Sequence, residues 1–138
     1  MIPESWENKH IELHLERAHW ETRLWIDDVE IGMQNSLATP HTYRLNNQLS
    51  PGKHILSIRV DNRVRELNPG INAHSVADHT QSNWNGLVGE LSLSARPLLS
   101  IETLALFPDV ERGLVRALLK VSNKSGKAQS GSFKLQAR

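Results

Sequence analysis

The chain has 138 residues, 38% of them hydrophobic, with a formal net charge of +1 and a mean hydropathy of −0.43. These values suit one soluble domain or pieces of two, and the near-zero charge argues against a dedicated nucleic-acid binder, which would normally show a basic face. There is no cysteine, so disulfides, thiolate zinc sites and cysteine nucleophiles are ruled out. No run reaches the roughly 18 apolar residues of a membrane helix, and "MIPESWENKH" lacks a signal-peptide core.

Alternation dominates the chain. "HIELHLERA" puts Ile11, Leu13 and Leu15 on one face of a strand and Glu12, His14 and Glu16 on the other. "TRLWIDDVEIG" reads as two strands meeting at Asp27–Asp28, with Leu24, Ile26, Val29 and Ile31 as apolar positions. A strand follows near residues 41–45, then a turn at Ser50-Pro51-Gly52 and a strand with Leu56, Ile58 and Val60 on one face. "GLVGELSLSA" alternates again through Leu87, Leu91 and Leu93.

Residues 61–85 hold no period. Loops this long inside a compact domain are uncommon and usually functional. Pro97 then interrupts a strand pattern, and the charge changes sign. Residues 1–97 carry nine Lys and Arg against twelve Asp and Glu, whereas residues 98–138 carry seven against three. A domain boundary is expected there. Beyond it, "LLSIETLALFPD", "GLVRALLKVSN" and "SGSFKLQAR" read as three strands, although "GLVRALLKV" also fits a short helix. The fold class is all-β, a sandwich.

Seven histidines invite a metal reading. His10 and His14 share a face of one strand but stand about 13 Å apart by strand rise, too far for joint ligation. His74, Asp78 and His79 share the long loop, where hydrogen bonds to loop backbone are the plainer reading; no metal is expected. A glycosidase needs two facing carboxylates. Of Glu16, Glu21, Asp27, Asp28, Asp78 and Glu90, all but Asp78 fit the solvent face of a strand or a turn. Ser75 beside His74 or His79 makes no triad without a Gly-x-Ser-x-Gly elbow.

"HTQSNWNG" (79–86) does fit carbohydrate chemistry. An indole stacks on a sugar ring, while amides and imidazoles bond its hydroxyls. Asp78, His79, Gln81, Asn83 and Trp84 are the candidate substrate-binding residues, and no residue is assigned as catalytic. The alternative is that Trp84 packs into the sandwich while Asn83 and Asn85 cap the turn.

"LHLERAHWETRLWIDDVEIGMQNSLATPHTYRL" followed by "LSPGKHILSIRVDN" resembles the N-terminal sugar-binding sandwich of glycoside hydrolase family 2, the β-galactosidase and β-glucuronidase family. Trp25 and Asp27–Asp28 match its hairpin, Gly32 the glycine after it, Pro40-His41 the start of the next strand, and Gly52–Asn62 its Gly-x-His-x-Leu strand. Gly86–Leu91 match the strand after its long loop. "SIETLALFPDVERGLVRALLKVSN" resembles the opening of the family's immunoglobulin-like domain. The wording "ERAHWETRLW" is similar to that of a subgroup common in carbohydrate-degrading gut bacteria. An acidic residue that reaches the active site in better-known relatives falls here at Thr80, with Asp78 two residues upstream.

The resemblance implies a galactose-binding-like jelly roll at 1–97, lacking its first strands, and the beginning of an immunoglobulin-like sandwich at 98–138. It implies the sugar-binding portion of a retaining glycosidase whose catalytic barrel, with its Asn-Glu acid/base, is absent from this chain. It further implies a carbohydrate substrate, no cofactor, no nucleic-acid or membrane partner, a periplasmic or secreted location, and self-association of the piece through open strand edges. A stand-alone carbohydrate-binding module is the main rival, and a purely structural sandwich the third reading.

Overall fold

A computed structural model describes residues 1–46, 48–63 and 84–136. The chain divides into two compact units, Met1–Glu7 with Ile11–Ala95, and Asn8–His10 with Arg96–Arg138. Among the described residues no helix is long and apolar enough to cross a membrane.

The first unit is built on β1 (His10–His19) from Ile11 onward, β2 (Glu21–Ile26), β3 (Val29–Asn35), β4 (His41–Arg44), β5 (Leu56–Asp61) and β6 (Gly86–Arg96) as far as Ala95. They form two three-stranded sheets, ordered β4–β1–β6 and β3–β2–β5. The central strands carry the core. Ile11, Leu13 and Leu15 of β1 and Leu24 and Ile26 of β2 are buried, with Tyr43, Leu45, Leu49 and Ile2 in the same cluster. Leu56 and Ile58 from one sheet, and Leu87, Leu93 and Ala95 from the other, pack against it. Two sheets closing on one apolar layer make an all-β sandwich, in which each buried aliphatic side chain contributes roughly 1.5–3 kcal/mol.

The Asp27–Asp28 hairpin forms as expected. Both residues have positive φ, 47° and 69°, the geometry a two-residue type I′ turn demands and Asp tolerates. The register then shifts, because Leu24 pairs with Gly32 but Trp25 with Glu30, leaving Ile31 as a bulge turned to the core. Val29, expected to be buried, is 63% exposed; it stands at the hairpin tip on an edge strand. Leu91 departs from its pattern too, at 57% exposed. Gly89, two residues earlier, has φ 85°, which interrupts the extended backbone on which regular alternation depends.

A polar network joins the two sheets inside the sandwich. Tyr43 donates to the Thr22 carbonyl at 2.9 Å, so the 2.7 Å contact between their hydroxyls runs from Thr22 to Tyr43. His41 Nδ1 lies 2.6 Å from Thr22 Oγ1, and its Nε2 lies 2.9 Å from the Ser36 carbonyl oxygen and 3.1 Å from the Ser36 nitrogen. Burial pushes the Tyr43 hydroxyl above its ordinary pKa, so it stays protonated. At the rim, the Gln34 side-chain amide bonds both the N–H and the C=O of Thr42 on β4.

The second unit centres on β7 (Leu99–Asp109) and β8 (Leu114–Asn123), an antiparallel ribbon. Its turn is closed by Asp109 Oδ1, which accepts the Arg112 N–H at 3.0 Å, and by Gly113 at φ 62°. The helix alternative for "GLVRALLKV" is therefore excluded. The third expected strand, 130–138, does not form over its described part. Phe133 and Leu135 alone make too small an apolar face, and both are exposed. His10 belongs to this unit, with Nε2 at 2.7 Å from Lys124 Nζ, whereas His14 lies in the first unit.

Candidate functional site

The long aperiodic stretch lies in sequence between the end of β5 and the start of β6. Asp78, His79, Gln81 and Asn83 lie outside the described residues, as do His74 and Ser75. Trp84 is described, and with it the anchors on either side.

Asn85 is the hub. Its side-chain oxygen accepts from Asn62 Nδ2 at 2.5 Å and from His19 Nδ1 at 3.2 Å. One amide thus ties the exit of β5, the end of β1 and the start of β6. Because an amide oxygen only accepts, this contact puts a proton on Nδ1 of His19. The imidazole is nearly buried at 5% exposed and sits between two indoles, 4.9 Å from Trp84 and 5.6 Å from Trp20 by ring centroids, each tilted by about 50°. The His19–Trp20 peptide bond is cis.

Trp20 is buried, but Trp84 is 41% exposed. The reading in which Trp84 packs into the sandwich is therefore corrected. Its ring leans on His19 instead, because Asn85 and Gly86 (φ 88°) turn the chain before β6 aligns with the core. Asn85 likewise bridges segments distant in sequence rather than capping a local turn.

Asp61, at the exit of β5, is 8% exposed and grips the Arg63 guanidinium through both oxygens, at 2.8 and 2.5 Å. Arg63 also gives it a backbone N–H at 3.1 Å. These hydrogen bonds hold its carboxyl below the ordinary range, so it is an ionised structural acceptor. Three of the carboxylates weighed from sequence are also engaged, and Asp78 lies outside the described residues. Glu21 pairs with Arg59 at 3.1 Å, Glu16 accepts the Glu90 N–H at 2.6 Å, and Asp27 accepts the Ile55 N–H at 2.9 Å. Among the described residues no cluster of three His, Asp or Glu could hold a metal ion.

Sequence reasoning missed His19, Trp20 and Asn62. "AHWE" carried a signal, since an imidazole and an indole interrupt an otherwise regular alternation at the end of β1. What the cluster offers chemically is a half-exposed aromatic face braced from behind by an imidazole, beside two carboxamides. That combination suits hydrogen bonding and stacking.

No family model matches the sequence, and no curated protein matches it. Among solved structures the chain is similar to β-glucuronidase of Faecalibacterium prausnitzii, with a TM-score of 0.65 and 20% identity over 89% of this chain and 25% of that one. It is also similar to β-D-glucuronidase of Dictyoglomus thermophilum, with a TM-score of 0.59 and 14% identity over 88% of this chain and 24% of that one. The chain thus spans about a quarter of the length of those two proteins. At such identities the likeness is one of fold: this chain has an all-β sandwich architecture like that in part of these glycoside hydrolases.

Proposed function

We propose that the chain is the non-catalytic, sugar-binding portion of a family 2 glycoside hydrolase, a jelly-roll-like sandwich at 1–97 followed by the beginning of an immunoglobulin-like sandwich at 98–138. The loop at 61–85 shapes substrate access in the longer enzyme, with His79, Gln81 and Asn83 as hydroxyl partners, Asp78 beside them and Trp84 as a wall. The observation that carries this reading is the half-exposed Trp84 indole, braced on His19 where the loop rejoins β6. The fold likeness to two β-glucuronidases supports it.

Neutral hydrogen bonds to a sugar hydroxyl contribute roughly 0.5–1.5 kcal/mol each. Asn83→Ala in the longer enzyme is therefore expected to lower kcat/KM about tenfold, and His79→Ala to act in the same direction. Because Trp84 stands outside the core, Trp84→Ala is expected to lower kcat/KM while leaving the melting temperature nearly unchanged. Unchanged kinetics in all three variants would sink the proposal. Saturable binding of a simple glycoside by the chain alone, lost in Trp84→Ala, would favour the stand-alone binding module instead.

The exposed apolar ribbon of β7 and β8 supports self-association of the chain. Light scattering that reports a monomer at micromolar concentration would count against it.

A further inference from the structure

Asp27 does more than turn a hairpin. Its backbone N–H donates to the Ile55 carbonyl at 3.0 Å, and its Oδ1 accepts the Ile55 N–H at 2.9 Å. Its other oxygen, Oδ2, lies 2.5 Å from Nδ1 of His54. The second ring nitrogen of His54, Nε2, lies 2.9 Å from the carbonyl oxygen of Ser50. With Asp27 ionised, the imidazole therefore stands between two groups that only accept.

A neutral imidazole has one N–H. With that proton on Nδ1, the lone pair of Nε2 faces the Ser50 carbonyl oxygen. With it on Nε2, the lone pair of Nδ1 faces the Asp27 carboxylate. Either neutral tautomer beside an ionised Asp27 leaves one acceptor against another at hydrogen-bonding distance, whereas the imidazolium satisfies both contacts. A protonated Asp27 donating from Oδ2 to Nδ1 would also satisfy both contacts, but the Ile55 N–H lowers the Asp27 carboxyl while the ring is raised, so the shared proton resides on His54.

We propose that His54 is held as an imidazolium that clamps the β2–β3 turn to the Ser50–Ile55 segment, making this corner of the sandwich a pH-sensitive clasp. The clasp also reaches the start of the chain, because Gly52, within the clamped segment, exchanges backbone hydrogen bonds with Ile2 at 2.7 and 2.9 Å.

The electrostatics agree with the geometry. The hydrogen bond to Asp27, and after it that to the Ser50 carbonyl, raise His54 above its ordinary value of 6.5. Partial burial and the N-terminal ammonium oppose them. The Ile55 N–H, and after it His54, lower Asp27 below its ordinary 3.8. Asp27 and the N-terminal ammonium are the charged groups that act on the ring from the other segments; Asp28 and Lys53 are the charged neighbours in sequence. A raised imidazole stabilises the fold fully below 6.5, and that contribution is lost as pH rises through the raised value. A lowered carboxyl stabilises it fully above 3.8, and that contribution is lost as pH falls through the lowered value. The clasp is complete between those two ordinary values and loosens on either side.

The test is a titration of the ring nitrogens of His54 by two-bond proton–nitrogen NMR on the full chain, repeated on Asp27→Asn. Asparagine accepts the positive φ of 47° at position 27 and keeps an oxygen for Ile55, so the variant removes charge without removing the turn. Expected is an imidazolium signature at pH 6, a midpoint above 6.5, and a downward shift of that midpoint in Asp27→Asn. The melting deficit of the variant should be greatest near pH 5–6 and vanish above the wild-type midpoint. A single neutral tautomer at pH 6, a midpoint at or below 6.5, or a midpoint indifferent to Asp27→Asn would overturn the clasp. The wild-type titration decides the matter even if the variant fails to fold.

Discussion

Two sets of strands in this molecule both carry aliphatic residues, the second set the more densely, and differ in what those residues cover. In β1 and β2 the apolar residues alternate with Glu12, His14, Glu16 and Arg23, and Leu13, Leu15 and Leu24 are at most 1% exposed. In β7 and β8 apolar residues occupy both faces. Leu104 opposes Leu119 on one, and Ala105 opposes Leu118 on the other, yet Leu104 is 47% and Leu118 63% exposed. A shift of register between Ile101 and Thr103 keeps Leu99, Ile101, Leu104 and Leu106 on one face of β7, opposite Val121, Leu119 and Ala117, although their spacing changes parity. Alternation marks a sheet with one wet side, whereas apolar residues on both faces mark strands suited to cover on both. Pattern thus decides where strands form, and a second layer decides what their burial is worth.

The comparison breaks most readily in the core. Leu24→Ala, at a fully buried central position, is expected to cost about 2–5 kcal/mol in urea unfolding. Leu118→Ala, on the ribbon, should fall within about 0.5 kcal/mol of wild type. Equal losses would mean that the ribbon is covered in solution.

Next in size is the polar link between the sheets. Thr22→Val keeps the shape but strips His41 and Tyr43 of a shared partner inside the core. Stranding buried polar groups costs about 1–3 kcal/mol. A neutral result in thermal melting would mean that water replaces the hydroxyl. The ribbon has no counterpart to this network among the described residues.

The smallest expected effect sharpens the contrast between regular and interrupted strands. A side chain at position 89 would collide with the Glu16 carboxylate, and φ there is 85°. Glu16 can swing away, since its side chain is 41% exposed, at the loss of its bond to the Glu90 N–H. Gly89→Ala is therefore expected to destabilise by about 1 kcal/mol or somewhat more, read as a lower urea midpoint. A gain in stability would show that the left-handed conformation is not required.

These contrasts also explain how far the sequence could be read. The strands of the first unit were legible because alternation and the Asp27–Asp28 turn are local signals, complete within a few residues. The bulge at Ile31 and the break at Gly89 were not, because each is a backbone conformation chosen by neighbouring strands. The candidate site was half legible. "NWN" advertised its chemistry, but its bracing joins His19 to Asn85 across 66 positions and Asn62 to Asn85 across 23. No window of the sequence contains such a contact. The expected third strand of the second unit failed for the converse reason: a local β pattern does not supply a partner for its ladder.

The amide of Gln34 has a consequence for how this protein survives in a crowded solution. Among the described residues the β4 strand lies at the edge of its sheet, where backbone groups facing outward are a template for another chain. Gln34 meets the outward N–H and C=O of Thr42 with its own C=O and N–H, a counterfeit peptide unit one residue long. A strand from a neighbouring molecule that tried to add at this edge would have to displace an intramolecular competitor tethered in place, which carries no ladder of its own to extend. The sheet is finished here by a side chain, and the route from folded monomer to stacked aggregate is blocked at this position.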